Sequence, residues 1–238
     1  MTAHRQQARR IAVAPERGRA DAEHDQPQKP LIIMISNLQK HLTDIYQVDP
    51  GFEVTDFLIT DPTLARLLGN GSLVPNTDES VLLSQDEDGL ALSLYLEEEM
   101  VERLTRDNPM DALKADRLDD LCKVIEGISH FNYIVWRAQQ DKAVTLLELE
   151  MQAEVDKFVG TLLMALEQQD FDFARRLHGW LFDRVSFNRD LDADQLERYR
   201  AANDFAARFC HGLRDRLERN STRGMHELRR FYRLSQSE

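Results

Sequence analysis

The feature that most constrains the fold is a predicted helical hairpin over residues 109–168. Apolar residues recur there at every third or fourth position, which is typical of two amphipathic helices. Asn108 and Pro109 predict the start of the first helix, because Asn is a favoured N-cap and Pro suits the first helical position. Thr145 and Glu148 form a capping-box pattern that predicts the start of the second helix. The short connection between the two predicts antiparallel packing.

Shorter elements are predicted on either side of this hairpin. Residues 52–60 are rich in β-branched and aromatic side chains, which predicts a strand, and alternating patterns on both sides of residues 86–89 predict a β-hairpin. Amphipathic patterns at 31–45 and after residue 170 predict further helices. The expected fold class is therefore mainly α, with a bundle of four or five helices and a small N-terminal α+β unit made of a β-hairpin plus one strand.

The chain divides into three expected regions. Residues 1–29 have many charges, two prolines and no apolar period, which predicts a disordered tail because little apolar burial can offset the entropy of ordering. Their arginine-rich start is also typical of an organellar presequence, but four acids follow it closely. Residues 30–107 are expected to form the small α+β unit, and residues 108–238 the helical bundle.

The charge of the chain limits its partners and its location. The net charge is −12, and residues 31–213 hold seventeen lysines and arginines against thirty-four acids, a net charge of −17. An acidic surface disfavours binding to nucleic acid or to anionic membranes. The longest apolar run, residues 31–35, is far shorter than the roughly 20 residues of a membrane span. No export signal is recognisable and there are two cysteines, so a cytoplasmic protein is expected.

Ionisable residues along the hairpin suggest a metal site. Glu126 and His130 are four residues apart and therefore share one helix face, so that with Glu150 or Glu154 of the second helix they are candidate ligands of one divalent metal ion. On the helical wheel Glu154 lies next to the apolar stripe, whereas Glu150 and Lys157 lie further out. The alternative is that Glu126 and His130 are an ordinary hydrogen-bonded pair at the margin of the core.

A second acidic group offers a short resemblance. Glu98, Glu99 and Glu102 resemble the first half of the signature of all-helical nucleoside triphosphate pyrophosphohydrolases, in which four acids on two helices hold magnesium against the triphosphate. Where the second half belongs, the chain has Asp116 and Asp119, with aspartate in place of a glutamate. The match covers five residues only, and the chain is not assigned to that family.

Arginines are the candidate residues for contacts with an anion or a partner. Arg137 belongs to the hairpin, and Arg229, Arg230 and Arg233 lie in an amphipathic segment near residue 230. Their guanidinium groups are suited to bidentate contacts with phosphate or carboxylate. The alternative is that the C-terminal arginines complement helix dipoles and dock their segment on their own domain or on an identical subunit.

Two function hypotheses follow from the sequence. The first is a noncatalytic helical protein-interaction module without a cofactor, acting as a homodimer or on another protein, since no complete catalytic signature is present. Phe131, Tyr133 and Trp136 point to more than one face of their helix, which predicts either deep burial or a protein interface. The alternative is a metal-dependent hydrolase that acts on a phosphorylated small molecule through the Glu/His cluster of the hairpin.

Overall fold

The computed structural model describes residues 11–13, 28–69, 77–85, 90–183, 185 and 191–234. Within these residues the chain is mainly α-helical, with a small sheet near the N-terminus, so the predicted fold class is confirmed. The helices are α1 (Gln28–Tyr46), α2 (Pro62–Leu68), α3 (Glu98–Arg106), α4 (Leu118–Ala138), α5 (Leu146–Glu167), α6 (Phe171–Phe182), α7 (Ala193–Arg219) and α8 (Ser221–Arg233). The strands are β1 (Ile11–Val13), β2 (Leu58–Ile59), β3 (Glu79–Gln85) and β4 (Leu90–Leu96). None of the helices in these ranges is long and apolar enough to cross a membrane.

Strand β4 is the centre of the sheet. It pairs antiparallel with β3, and the register runs from Glu79 opposite Leu96 to Gln85 opposite Leu90. The other edge of β4 pairs with β1 near its start and with β2 near its end, both parallel. The predicted β-hairpin is present, and its turn at 86–89 lies outside the described residues.

The strand predicted at residues 52–60 is mostly wrong. Only Leu58–Ile59 forms a strand, and Val54–Phe57 forms a short 3-10 helix. Val54 and Phe57 are buried there. The backbone N–H of Val54 donates to Oε1 of Gln39 at 2.8 Å, so a side chain of α1 takes the place that a neighbouring strand would have.

Part of the expected tail differs from its prediction, because Ile11–Val13 pairs with β4. This Ile-Ala-Val segment has two β-branched side chains, which suit a strand. The rest of the tail prediction, for residues 1–10 and 14–27, falls outside the described part of the chain. The boundary between an α+β unit and a bundle at residues 107 and 108 stays a prediction.

The first helix of the predicted hairpin begins later than expected, at Leu118 and not at Pro109. Asn108 closes a turn: its side chain accepts from the N–H of Met110 at 3.1 Å, and its carbonyl accepts from Ala112 at 3.2 Å. The side chain of Gln168, at the end of α5, binds the carbonyl of Pro109 at 2.7 Å. These bonds hold the segment against α5 in a non-helical path.

Helix α4 lies in the middle of the molecule, between α5 on one side and α1, α3 and the β3–β4 hairpin on the others. Phe131 and Tyr133 are buried, and Trp136 is partly buried. The ring of Phe131 packs on Phe57, and the rings of Tyr133 and Trp136 pack on Tyr232 of α8. Of the two alternatives for these aromatic residues, the structure shows burial within the bundle.

Candidate functional site

The site is built where α4 and α5 run side by side. The predicted capping box starts α5: the N–H of Glu148 donates to Oγ1 of Thr145 at 3.2 Å, and the N–H of Thr145 donates to the Glu148 carboxylate at 2.8 Å. Because only seven residues connect α4 to α5, α5 returns along α4. The four predicted metal residues therefore face one another across the pair: Glu126 and His130 from α4, and Glu150 and Glu154 from α5.

A fourth acid, Glu79, which was not among the predicted residues, completes the closest group. One ligand atom each of Glu79, Glu126 and His130 lies within 4.8 Å of the others. Glu79 is the first residue of β3, and this strand contacts α4. The alternation of strand β3 could have indicated that Glu79 faces inward. Residues two apart share one face of a strand, and Val81, two residues after Glu79, packs on the main core.

His130 lies between two carboxylates. Its Nδ1 is 3.9 Å from Oε1 of Glu79, and its Nε2 is 3.9 Å from Oε2 of Glu150, so both distances exceed that of a hydrogen bond. Burial by itself lowers the pKa of His130, but Glu79 and Glu150 outweigh burial and raise it to about 9. Among the described residues, Nε2 of His130 and Oε1 of Glu79 are buried without a hydrogen-bond partner.

Lys157 neutralises the other side of the cluster. Its Nζ is 3.0 Å from Oε2 of Glu126 and 2.8 Å from Oε1 of Glu154. Burial lowers the pKa of Lys157, but the two carboxylates outweigh it and raise the pKa above its ordinary value, so the ammonium stays charged. The position expected for Lys157, further out on the helix, is therefore wrong: it belongs to the cluster, which comprises Glu79, Glu126, His130, Glu150, Glu154 and Lys157.

The carboxylates of this cluster differ in their protonation. Burial raises the pKa of Glu150 to about 7, and it also raises that of Glu79. For Glu126 burial acts in the same direction, but Lys157 and His130 outweigh it and hold the pKa below its ordinary value. Glu126 is thus ionised at neutral pH, and Glu150 changes its charge near neutral pH.

The cluster opens into a cleft of about 670 Å³ between α4, α5, β3 and α7. Its ionisable lining is mostly acidic, with two lysines that are already paired: Asp78, Glu79, Asp119, Lys123, Glu126, Glu154 and Lys157. Trp180 and Tyr199 add aromatic surface. Burial, with the nearby Glu150 and Glu126, raises the pKa of the Tyr199 hydroxyl, so this group remains a neutral hydrogen-bond donor beside the cluster.

Cys122 also lines the cleft, but it does not provide a nucleophile. Its side chain is buried, and burial raises the pKa of the thiol to about 12. The reactive form of cysteine is the thiolate, which is scarce at neutral pH when the pKa is this high.

A second buried carboxylate, Asp156, lies on α5 near the cluster. It accepts hydrogen bonds from the hydroxyl of Tyr46, from Oγ of Ser129 at 2.6 Å and from Nε2 of Gln152 at 2.7 Å. Burial nevertheless raises the pKa of Asp156 to about 6. No local sequence pattern marks Asp156 as a buried hydrogen-bond acceptor, because its partners come from three different helices.

Two of the predicted arginines bind the end of α1. Nε of Arg229 donates to the carbonyl of Ile45 at 2.9 Å, and Nη2 of Arg233 donates to the carbonyl of Tyr46 at 2.9 Å. The last carbonyls of a helix lack partners within it and carry its negative dipole end, so cationic donors suit this position. Arg230, on the same helix, is exposed.

Arg137 lies inside the bundle. Only 2% of its surface is exposed, its Nη2 donates to the carbonyl of Ala143 at 3.3 Å, and its guanidinium is 5.7 Å from the ring centre of Tyr133. It therefore contacts the turn between α4 and α5.

The acids of the pyrophosphohydrolase resemblance lie apart from the cluster. Glu98, Glu99 and Glu102 are exposed on α3. Asp116 lies in a 3-10 turn and not on a second helix as the resemblance implies, and Asp119 pairs with Lys123 at 2.7 Å.

The comparisons with known proteins identify no relative. No protein-family model, no curated protein and no solved structure matches this chain.

Proposed function

We propose that the protein is a metal-dependent hydrolase that acts on a phosphorylated small molecule, with one divalent ion held by Glu79, Glu126 and His130. The observation that carries this proposal is the convergence of their three ligand atoms within 4.8 Å, beside a cleft that Glu79 and Glu126 line. Burying polar atoms without partners is costly, and a cation bound to Oε1 of Glu79 would remove that cost.

The three residues suit a divalent ion. Two carboxylates and one imidazole are ligands for ions such as Mn²⁺, Fe²⁺ and Zn²⁺, and binding would release the proton that His130 carries at neutral pH. Oxygen and nitrogen ligands bind zinc at about 2.0–2.2 Å, so two ligand atoms on one ion are at most about 4.4 Å apart. The limit of 4.8 Å is slightly larger, and a small rotation of the side chains closes this gap. Three protein ligands also leave positions free for water and substrate, as in catalytic sites.

The surrounding residues have separate roles in this proposal. Glu150 faces Nε2 of His130 and orients the imidazole, as carboxylates commonly do for metal-bound histidines. Lys157 holds Oε2 of Glu126 and leaves the other oxygen of that carboxylate for the ion. The Tyr199 hydroxyl donates a hydrogen bond to a substrate in the cleft. A bound divalent ion supplies a polarised phosphoryl oxygen or an acidified water molecule.

The charge of the cleft explains why a phosphorylated substrate would need the ion. Five acids line the cleft against two paired lysines, so a free phosphate ester is repelled. A divalent ion would offset two of the three excess negative charges, at the place where ligand atoms of described residues converge. The volume of about 670 Å³ lies within the range of pockets that bind small molecules.

Metal analysis of protein purified without chelators tests the proposal. We expect about one divalent ion per chain in the wild type, and loss of that ion in Glu79→Gln and in the double variant Glu126→Ala, His130→Ala. Glu154→Gln is the matched control, because Glu154 binds Lys157 and is not a proposed ligand. Hydrolysis of p-nitrophenyl phosphate should follow metal content across these variants. A folded wild-type protein that neither retains nor takes up Mn²⁺, Fe²⁺ or Zn²⁺ would contradict the proposal.

A different surface supports a second candidate, the noncatalytic protein-interaction module. An apolar groove of about 680 Å³ lies between α5, α6, α7 and α8, far along the bundle from His130, and Phe171 at its edge is 64% exposed. Exposed apolar surface of this kind marks protein interfaces. The homodimer and the cytoplasmic location expected from the sequence belong to this proposal. Sedimentation velocity tests the dimer, which a single species of 27.6 kDa would contradict.

A further inference from the structure

The apolar groove has a composition that is unusual for this protein surface. Five of its lining residues are large and apolar and only partly buried or exposed: Leu163, Leu166, Phe171, Leu217 and Met225. The remaining lining comprises Leu162, Ala174 and Ser221, with Arg175 and Arg214 at one side. Carboxylates are absent from this lining within the described part of the chain.

The two arginines connect the groove to a basic cleft. Arg175 and Arg214 also line a neighbouring cleft of about 860 Å³, together with Arg176, His178 and His211. Asp183 is the acid in this lining. In a chain whose residues 31–213 carry a net charge of −17, this is a local reversal of charge beside an apolar surface.

The cationic groups of this cleft are accessible. Arg176 and His211 are exposed, and Arg175 pairs with Asp172 in a contact whose two side chains are each 72% exposed. An exposed pair of this kind contributes little and is screened by salt, so Arg175 can exchange Asp172 for another carboxylate. His178 is only partly buried, and its Nε2 donates to the carbonyl of Ala207 at 3.0 Å.

We propose that this groove binds an acidic amphipathic helix of a partner protein, an inference that rests on the second candidate function and is independent of the metal site. The apolar face of the helix lies along Leu166, Phe171 and Leu217, and its carboxylates pair with Arg175, Arg176 and Arg214. Grooves between helices commonly bind a helix through apolar residues spaced three or four apart.

Charge complementarity selects an acidic partner. The acidic body repels such a helix elsewhere, so the arginines both attract it and fix its position. A lipid tail fits the groove less well, because Phe171 at its edge is 64% exposed and an acyl chain lying on it would remain partly in water.

The test uses the full chain and two labelled peptides of about four helical turns. The first has leucines spaced three and four apart with glutamates on both flanks, and the second has lysine in place of every glutamate. Fluorescence anisotropy should show saturable binding of the glutamate peptide and at least about tenfold weaker binding of the lysine peptide. Binding of the glutamate peptide should weaken as salt rises from about 50 to about 500 mM.

Charge reversal makes the test specific. The double variant Arg175→Glu, Arg214→Glu should reverse the preference between the two peptides, whereas Arg66→Glu, which changes an exposed arginine on α2, should leave it unchanged. Phe171→Asp should weaken both peptides and, because this side chain is exposed, should leave the fold intact.

Four outcomes overturn the inference in different ways. Equal binding of both peptides to the wild type would show that the groove is an interface without charge selection, so the inference would fail while the interaction module survived. If neither peptide binds, both the inference and the proposed interaction module fail. Displacement of the glutamate peptide by palmitate would show that the groove binds a lipid. A wild-type dimer that Phe171→Asp dissociates would show that it binds a second copy of the chain. Metal content does not change in any of these variants if the two surfaces are independent.

Discussion

The hydroxyl of Tyr46 donates a hydrogen bond to Oδ1 of Asp156 in the interior of the protein, although the two residues are 110 positions apart in the chain. Tyr46 is the last residue of α1, and Asp156 lies in the middle of α5. Ser129 of α4 binds the other oxygen of the same carboxylate. This one acid therefore connects the N-terminal helix to both helices of the central hairpin.

Replacing Asp156 by asparagine is expected to change how stability depends on pH. The folded-state pKa of about 6 is higher than the unfolded value of about 3.9, so the folded protein binds the proton more tightly. This group therefore stabilises the fold below about pH 4 relative to neutral pH, and that contribution is lost as pH rises through 6. Relative to Asp156→Asn, the unfolding free energy of the wild type should rise by up to about 3 kcal/mol between pH 7.5 and pH 4.

Chemical denaturation at several pH values measures this difference. Asp44→Asn is the control, because Asp44 is exposed beside Lys40 and an exposed pair of this kind contributes little to stability. An Asp156→Asn curve parallel to that of the wild type at all pH values would contradict the prediction.

The pKa of His130 should depend on Glu79. In protein treated with a chelator, Glu79→Gln removes the carboxylate nearest Nδ1 of His130, so the pKa should fall from about 9 towards the ordinary value of about 6.5. NMR titration of the ring protons of His130 measures it. Glu154→Gln should have a much smaller effect, because Glu154 pairs with Lys157. A His130 that titrates near 6.5 in the wild type would show that the two residues are not neighbours.

The capping of α1 by α8 can be tested by alanine substitution. Arg229→Ala and Arg233→Ala each remove a charged donor from carbonyls of α1, and each should lower the unfolding free energy by about 1–2 kcal/mol. Arg230→Ala, at an exposed position of the same helix, should change it by less than about 0.5 kcal/mol. Equal effects of the three substitutions in thermal or urea unfolding would refute the assigned contacts.

Gly127 should not tolerate a side chain. A Cβ at this position would lie 2.7 Å from Cδ1 of Leu94 and 3.1 Å from Oε1 of Glu79, so Gly127→Ala forces these two side chains to move, and Leu94 is fully buried. We expect a loss of about 1–3 kcal/mol and a lower metal content. At Gly212 the Cβ meets only the movable guanidinium of Arg216, so Gly212→Ala should raise stability by up to about 1 kcal/mol through helix propensity. Urea unfolding measures the stability of both variants. A Gly127→Ala protein as stable as the wild type would argue against close packing of α4 on the sheet.

The elements that sequence analysis predicted correctly depend on local interactions. The capping box of Thr145 and Glu148 and the alternation of β3 and β4 involve residues that are close in the chain, so their patterns are visible in the sequence. The antiparallel packing of α4 and α5 follows from the short connection that ends at this capping box. It brings together Glu126, His130, Glu150 and Glu154. The wrong start at Pro109 has a distant cause, because Gln168 of α5 holds that segment in a turn.

The rest of the site depends on packing between distant segments. Glu79 reaches His130 because β3 packs against α4, and no short-range pattern states which helix a strand will contact. Lys157 looks peripheral on a helical wheel, yet Glu126 of the neighbouring helix draws it inward. Arg229 and Arg233 bind carbonyls 184 and 187 residues earlier in the chain, which their local sequence cannot reveal.

The hydrogen bond from Arg229 to the carbonyl of Ile45 has a consequence for synthesis on the ribosome. Helix α1 emerges early, but the side chain that binds the carbonyl of Ile45 is added only 184 residues later. At about 5–20 residues per second, the nascent helix waits roughly 10 to 40 s with its carboxyl end bound only by water. Met34, Leu38 and Leu42 are covered sooner, because α1 also packs on α3, α4 and α5, so the part of α1 that is exposed throughout this interval is its carboxyl end. A pause in translation before residue 229 would lengthen this exposure and lower the yield of folded protein.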